Sequence, residues 1–210
     1  VHPELAQLID RCLRRDPAAR YASAEALGQA LEEVNAVPAA AVLAAGNPYR
    51  GLYPFESEHR GLFFGRAVEI RTLIERLRVE PMVLVAGDSG VGKSSLCRAG
   101  VLPHVARGAL GGGRQWSILQ LTPGRHPLAA LVGVVAPLLC LQGPQLVGGL
   151  QDDASALRRA LERHLGVTQG VVLFIDQLEE LVTTSPSGEA QAFGRVLGPL
   201  LEGLGAVRLL

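Results

Sequence analysis

The sequence has almost no lysine. Its 210 residues include 20 lysines and arginines together, and because Lys93 is the only lysine, the other 19 are arginines. These are balanced by 20 acidic residues, so the formal net charge is zero. With no net basic field, the composition offers no reason to expect nucleic-acid binding. A single lysine in an arginine-rich chain indicates that position 93 requires an ammonium group rather than a guanidinium.

Cysteines and long apolar runs are also scarce. Cys12, Cys97 and Cys140 are far apart and form no C-x-x-C pair. This excludes a disulfide framework and a zinc-finger pattern, and it favours a reducing compartment. The longest apolar run, residues 128–141, is short for a membrane helix. We therefore expect a cytoplasmic protein without a membrane span. Since Val1 begins no signal peptide and is not an initiator methionine, we also expect a piece of a longer polypeptide.

Aromatic residues make up only 4% of the chain, and they are unevenly distributed. Five of the nine lie in residues 49–64, a stretch that is also rich in proline and glycine. Such a segment, which has no helical or strand period, is predicted to be a structured loop that packs on the rest of the fold.

A glycine-rich loop at residues 87–94 organises the chain. Its sequence, G-D-S-G-V-G-K-S, fits the phosphate-binding pattern G-x-x-x-x-G-K-[ST]. Residues 82–86 are apolar and predict a buried strand, and residues 94–102 predict a helix that starts at 92–93. Strand, loop and helix are the context that this motif requires. The residues predicted to hold the phosphates are Gly87, Asp88, Ser89, Gly90, Val91, Gly92, Lys93 and Ser94.

The chemistry of the pattern assigns a role to each residue type. Glycine lets backbone N–H groups approach the phosphate closely and tolerates a positive φ. The helix that follows presents unpaired N–H groups to the anion. We expect Lys93 to reach the β- and γ-phosphates and to assist catalysis, and Ser94 to ligate Mg²⁺ through its hydroxyl.

A second acidic motif follows an apolar run at residues 170–175. A continuous apolar run is typical of a parallel strand that is covered on both faces. Asp176 comes at its carboxyl end, where the Walker B aspartate of a nucleotide-binding fold belongs, so we predict Asp176 as the second Mg²⁺ ligand beside Ser94. The alternative is an ordinary aspartate in a turn after a strand.

Two glutamates lie shortly after this aspartate. Glu179 and Glu180 are candidates for the group that orients or deprotonates the attacking water. In many ATPases of this class the glutamate follows the aspartate directly, and here Gln177 occupies that place. The alternative is a solvated helix start that carries acidic residues for its dipole.

The remaining pattern predicts an α/β chain behind a helical hairpin. Helices 4–14 and 24–34, the second capped by Ser23, form the hairpin, and residues 35–46 are an Ala/Pro linker. The other predicted elements are helices 67–78, 128–140, 154–165 and 189–203, a loop at 142–153, and strands 116–121 and 206–210.

Residues 1–34 resemble the last helices of a bacterial serine/threonine protein kinase domain. The resemblance lies in H-P-E-L, L-I-D-R-C-L and D-P-A-A-R-Y. It implies that Arg20 once paired with a glutamate further upstream, a partner that this sequence lacks. No kinase glycine loop, H-R-D or D-F-G motif is present, so the chain carries no kinase catalytic residues. The alternative is an ordinary helical hairpin.

Residues 47–210 resemble the amino-terminal half of a STAND-type P-loop NTPase, with the novel STAND subgroup the nearest match. N-P-Y-R-G-L, L-F-F-G-R, the glycine loop with S-L-C-R-A-G, P-G-R and I-D-Q-L-E-E-L carry the resemblance. It implies a three-layer P-loop sandwich of the ASCE type with a parallel sheet that is incomplete at the C-terminus. It also implies that Phe64, Gly65 and Arg66 help to seat the nucleotide, as does Ser95. The expected domains are 1–34, 35–46 and 47–210.

The function that this implies is a nucleotide-dependent signalling switch. We expect it to bind ATP with Mg²⁺ and to hydrolyse it slowly. The resemblance further implies self-association through regions outside this chain and protein partners that bind C-terminal repeats. No guanine-reading N-K-x-D motif is present. Two alternatives stay open, which are a nucleotide-binding scaffold without hydrolysis and a fragment of a protein kinase whose catalytic core lies upstream.

Overall fold

A computed structural model of the chain describes residues 3–35, 50–51, 53–202 and 205–210. Apart from Asn35, the predicted linker 35–46 lies outside the described residues. The structure divides into two compact units, Val1–Leu52 and Tyr53–Leu210. The domain boundaries expected from the sequence stay predictions.

The first unit contains the predicted helical hairpin. Helix α1 spans Pro3–Cys12 and α2 spans Ala24–Asn35, with a short 3₁₀ helix between them. The Ser23 hydroxyl accepts a hydrogen bond from the Ala26 amide at 3.2 Å, which confirms the predicted cap. The Arg20 guanidinium donates to the carbonyl oxygen of Arg14 at 2.7 Å. This partner is only six residues away in the sequence and is not the upstream glutamate that the kinase resemblance implies. The kinase resemblance therefore stays a prediction.

The second unit holds the glycine loop and the sheet. A 3₁₀ helix at Ser57–Leu62 opens it, and a π-helical stretch at Leu96–Val101 follows the glycine loop. The α-helices are α3 Ala67–Val79, α4 Lys93–Ser95, α5 Leu102–Ala106, α6 Pro127–Leu138, α7 Gly143–Asp152, α8 Ala156–Leu165, α9 Glu180–Thr183 and α10 Ser187–Leu201. The strands are β1 Gln115–Leu121, β2 Gln169–Ile175 and β3 Val207–Leu209.

The three strands form one parallel sheet in the order β1-β2-β3. Leu121 of β1 is in register with Ile175 of β2, so both strands end at the same edge. The Asp176 amide donates to the Leu121 carbonyl oxygen at 2.9 Å and extends that pairing by one residue. The carboxyl ends of the strands therefore meet where the sequence placed the acidic motif.

Helices cover both faces of the sheet. Along β2, Val171 and Leu173 belong to one apolar cluster, and Val172 and Phe174 belong to another. The first cluster packs against α6, α7, α8 and α10, and the second packs against α3, the π-helical stretch and α5. Because both faces are apolar, β2 reads as a continuous hydrophobic run. The chain is α/β with a parallel sheet, as predicted.

The predicted strand at residues 82–86 forms only one bridge. Met82 pairs in parallel with Leu209, and the Val83 amide donates to the Leu209 carbonyl oxygen at 2.9 Å. Val83 is buried, but Leu84 is 61% exposed. The strand prediction was therefore wrong beyond the first residues, because β3 is three residues long and offers a partner only to the start of this segment. Because this pairing is parallel, the segment still leads towards the edge of the sheet where Asp176 lies.

The loop predicted at residues 142–153 is a helix. Helix α7 begins at Gly143 and ends at Asp152. Leu146 and Leu150, four residues apart, are buried in the first apolar cluster. A proline in the first turn is compatible with a helix start, and burial of the leucines outweighs the low helix propensity of the glycines.

The helix after the glycine loop is longer than predicted. It begins at Lys93, as expected, passes through the π-helical stretch and continues through α5 to Ala106. A π turn adds one residue to a helical turn and often occurs at functional sites. Across the described residues, no helix has both the length and the apolar composition needed to cross a membrane.

Candidate nucleotide-binding site

The glycine loop adopts a conformation that its glycines make possible. Gly90 and Gly92 have φ angles of +82° and +86°, in the region where a side chain is strained. A Cβ at Gly87 would lie 3.4 Å from the Val91 side chain, which is an ordinary van der Waals contact. The loop is thus a tight backbone turn whose shape is set locally and which leads directly into α4.

The single lysine lies across this loop. The Lys93 ammonium donates to the carbonyl oxygens of Gly87 at 2.8 Å and Asp88 at 3.0 Å. An ammonium has three donors and compact geometry, so one nitrogen can serve both carbonyls. Lys93 thus lies within the glycine loop, and its contact with phosphate stays a prediction.

The two predicted metal ligands are in direct contact. The Ser94 hydroxyl donates to Asp176 Oδ1 at 2.8 Å, although 82 residues separate them in the sequence. Asp176 follows β2, and Ser94 lies in the first turn of the helix after the loop. The sequence predicted both residues, and the fold brings their oxygens together.

Asp176 is the one polar or charged residue that is buried among the described residues, at 8% exposure. Its Oδ1 atom also accepts from the Gln177 amide at 3.0 Å. Burial of a carboxylate is unfavourable unless it is paired and hydrogen-bonded. The position of Asp176 therefore depends on the groups that surround it.

The sequence analysis did not identify Arg98, which forms an ion pair with Asp176. Its guanidinium donates to Asp176 Oδ2 at 2.9 Å and to Glu56 Oε1 at 2.6 Å. Burial lowers the pKa of Arg98, but the hydrogen bonds and charges of Glu56 and Asp176 outweigh that effect and raise it above its usual value. Its position four residues after Ser94 could have predicted it, because residues four apart lie on the same face of a helix.

The aromatic segment packs against the helix after the loop. The Phe55 amide donates to the Ser95 hydroxyl at 3.0 Å, so the hydroxyl of this predicted nucleotide-binding residue contacts the protein backbone. Phe55 also packs against Phe63, with 5.9 Å between ring centroids. The predicted structured loop is therefore organised around its own aromatic rings and around Ser95.

The Phe64–Arg66 stretch lies beside the glycine loop. The Arg66 guanidinium donates to the Val91 carbonyl oxygen at 3.3 Å and pairs with Glu69 at 2.6 Å. Gly65 has a φ of +80°, and Phe64 is 71% exposed. The structure thus brings Arg66 against the loop, whereas a role of Phe64 and Gly65 at the nucleotide stays a prediction.

The two glutamates have different surroundings. Glu180 begins α9, and its carboxylate accepts from the Gly124 amide at 2.9 Å. Glu179 is exposed and lines the cavity described below. Helix α9 begins only at Glu180 because Gln177, with a φ of +55°, turns the chain in the left-handed region first.

A cavity of about 750 Å³ opens between the glycine loop and Asp176. Its polar lining includes Ser89, Lys93, Asp176 and Glu179, and much of the rest is apolar. Cys97 also lines it, and burial together with the charge of Asp176 raises the pKa of its thiol to about 12. The thiol stays protonated at neutral pH and is not a nucleophile.

The donor set fits Mg²⁺ better than a metal that prefers several protein ligands. Magnesium takes oxygen ligands, often one or two carboxylates with waters and substrate phosphates. Ser94 and Asp176 supply one hydroxyl and one carboxylate at a shared point. Within the described residues, no group of three or more histidine, cysteine, aspartate or glutamate side chains could hold a metal ion.

Comparison with known proteins identifies the family of the chain. The sequence matches the family described as novel STAND NTPase 1 over residues 48–208. Neither the curated proteins nor the solved structures include a significant match. Residues 1–34 lie outside the matched region, and so does the kinase resemblance. Because the match spans most of the chain and includes both the glycine loop and Asp176, the chain belongs to the novel STAND NTPase 1 family.

Proposed function

We propose that this chain is an ATP–Mg²⁺-binding module that acts as a nucleotide-dependent signalling switch. The observation that carries the proposal is the 2.8 Å contact between the Ser94 hydroxyl and Asp176 Oδ1. In P-loop proteins, a loop serine and a strand-end aspartate hold the same Mg²⁺ ion. Two predicted ligands that meet across 82 residues support one metal site at the mouth of the loop.

The residues of the loop would bind the phosphates. Backbone N–H groups of residues 87–94 and the start of α4 would surround the anion, and the Lys93 ammonium would turn from the Gly87 and Asp88 carbonyls towards it. Mg²⁺, when bound, supplies charge neutralisation between the β- and γ-phosphates. The neighbouring Phe64–Arg66 stretch offers an exposed ring for the base, and ATP is favoured over GTP only by the resemblance.

Glu179 is the better candidate for the residue that orients water. It lines the cavity together with Lys93 and Asp176, whereas the Glu180 carboxylate accepts from the Gly124 amide. Glu180 would then position the loop after β1. With Gln177 directly after Asp176, we expect slow hydrolysis.

The switching part of the proposal rests on the family resemblance. Lys93 is bonded to loop carbonyls, and Ser94 is bonded to Asp176. Binding must exchange these contacts for ligand contacts, and a ligand shifts a conformational equilibrium only through such differences. Self-association and protein partners, which the resemblance implies, stay predictions.

Replacement of Lys93 by alanine tests the proposal. We expect ATP affinity to fall about 100-fold or more, because each hydrogen bond to a charged group contributes about 1.5–3 kcal/mol. Lys93→Arg should not restore binding, since the planar guanidinium spreads its charge and does not act as the compact point charge that the ammonium supplies. Isothermal titration calorimetry with Mg²⁺–ATP measures both variants.

Arg195→Ala is the matched control, because it removes an exposed positive charge whose side chain does not line the cavity. Its affinity should equal that of the unchanged protein. Unaltered affinity in a Lys93→Ala protein with a normal thermal melt would refute the phosphate-binding role of the loop.

A further inference from the structure

Arg98 bridges two carboxylates that come from distant parts of the chain. One terminal nitrogen donates to Asp176 Oδ2 at 2.9 Å, and the other donates to Glu56 Oε1 at 2.6 Å. Asp176 lies at the end of β2, and Glu56 lies in the aromatic segment before the glycine loop. A fork with two separate donor nitrogens can hold both partners at once.

The two carboxylate oxygens of Asp176 have different hydrogen-bond partners. Oδ2 faces Arg98, and Oδ1 faces the Ser94 hydroxyl and the Gln177 amide. The Arg98 guanidinium also lies 6.0 Å from the Phe174 ring centroid, on the strand that leads to Asp176. Arg98 therefore fixes the rotation of the carboxylate so that one oxygen points to the glycine loop.

Glu56 is itself held in position. Its amide donates to His59 Nδ1 at 3.1 Å, and the neighbouring Phe55 amide donates to the Ser95 hydroxyl at 3.0 Å. The aromatic segment is thus attached to the helix after the glycine loop at two adjacent residues. One attachment is the same guanidinium that orients Asp176.

We propose that Arg98 is a positioning residue for the Mg²⁺ ligand Asp176, and that Glu56 acts through Arg98 to couple the aromatic segment to metal binding. The inference rests on the proposed Mg²⁺–ATP function. It assigns roles to Arg98 and Glu56, which belong neither to the glycine-loop motif nor to the acidic motif. Partners that orient a metal ligand typically change metal affinity when they are lost.

The first experiment measures ATP affinity of the full 210-residue chain with Mg²⁺ and with EDTA. In Arg98→Ala, the enhancement by Mg²⁺ should fall about 10-fold to 100-fold, the range seen for the loss of groups that orient metal ligands. Affinity in EDTA should stay within about twofold, because Arg98 does not touch the loop that holds the phosphates. Arg98→Lys should recover only part of the loss, since a single ammonium nitrogen does not reproduce the two separated, planar donor nitrogens with which the guanidinium holds the two carboxylates.

Arg76→Ala is the control, because it removes an arginine–glutamate ion pair that has no contact with Asp176. Arg76 pairs with Glu80 at 2.8 Å on the exposed surface of α3, so both affinities should stay unchanged. If Arg98→Ala does not fold, Arg98→Lys decides the question with the positive charge retained. Full Mg²⁺ enhancement in the folded Arg98 variant would overturn the positioning role.

The second experiment asks whether Glu56 acts through Arg98. Glu56→Gln alone should reduce the Mg²⁺ enhancement, and combination with Arg98→Lys should add little to the loss in Arg98→Lys alone. Fully additive losses would overturn the coupling. If Lys93→Ala abolishes binding while the Arg98 variants keep their Mg²⁺ enhancement, the further inference fails and the proposed function stands. If the unchanged protein does not bind Mg²⁺–ATP, the proposed function itself fails.

Discussion

The glycine loop and the acidic segment after β2 meet at one hydrogen bond, yet they are built in different ways. The loop depends on local backbone conformation, with positive φ at Gly90 and Gly92. Asp176 depends on contacts from distant parts of the chain, above all with Ser94 and Arg98. One half of the site is therefore encoded in eight consecutive residues, whereas the other exists only in the folded protein.

This difference predicts how each half fails. A substitution in the loop should damage phosphate binding through backbone strain, without involving the rest of the fold. A substitution in the acidic half should leave phosphate binding largely intact and remove the metal or water chemistry.

The largest expected effect is on hydrolysis, at Glu179. Glu179→Gln should slow phosphate release about 10²-fold to 10⁴-fold, the usual contribution of a general base, with ATP affinity retained. Glu180→Gln should have a smaller effect, because glutamine keeps an oxygen that can accept from the Gly124 amide. Single-turnover phosphate release separates the two variants from binding.

A larger loss in Glu180→Gln than in Glu179→Gln would reverse the two assignments. Unchanged rates in both variants would favour a nucleotide-binding scaffold without hydrolysis. The comparison of the two halves would then rest on metal binding alone.

The next effect is on metal binding, at Asp176. Asp176→Asn should remove the enhancement of ATP affinity by Mg²⁺. The loss should be at least as large as the roughly 10-fold to 100-fold loss of metal affinity seen when a group that orients a metal ligand is removed. Affinity in EDTA should change little, since the loop conformation does not depend on this carboxylate. Titration calorimetry with and without Mg²⁺ measures both quantities.

Asp153→Asn serves as its control, because Asp153 also pairs with an arginine, Arg159, but lies between α7 and α8 with an exposed side chain. Retained Mg²⁺ enhancement in Asp176→Asn would move the metal ligand elsewhere and separate the two halves of the site.

The smallest expected effect concerns the loop backbone, at Gly92. Gly92→Ala places a Cβ at a φ of +86°, which costs about 1–2 kcal/mol, or about 10-fold in ATP affinity if the loop relaxes when it is empty. Gly112→Ala imposes similar strain, at a φ of +70°, in the glycine-rich turn before β1. Thermal melts and ATP titration of both variants should show similar destabilisation but lost affinity only at Gly92.

Equal loss of affinity in the two glycine variants would contradict a locally built loop. It would mean that general stability, rather than the shape of residues 87–94, controls nucleotide binding.

The errors in the sequence predictions have physical causes. Residues 82–86 have strand composition, but a strand needs a partner along its length, and β3 pairs only with the beginning of the segment. Helix α7 was predicted as a loop, whereas burial of Leu146 and Leu150 stabilises a helix there. In both cases tertiary contacts outweighed local propensity.

The site predictions divide along the same line. The glycine loop, Lys93 and the strand before Asp176 were readable because a motif and a long apolar run are local signals. Arg98 and Glu56 were not, since their shared role needs three segments to meet. The different surroundings of Glu179 and Glu180 likewise depend on Gly124, which reaches Glu180 only in the folded sheet.

The sequence by itself determined the phosphate-binding pattern, the α/β class and the parallel strand that ends at Asp176, because each depends on residue spacing over a short distance. The tertiary structure alone decided that the Ser94 hydroxyl meets Asp176 Oδ1 at the proposed metal position and that the Arg98 guanidinium contacts Oδ2. A buried carboxylate such as Asp176 is stable only where partners from other segments satisfy it, and spacing along the chain does not specify those partners.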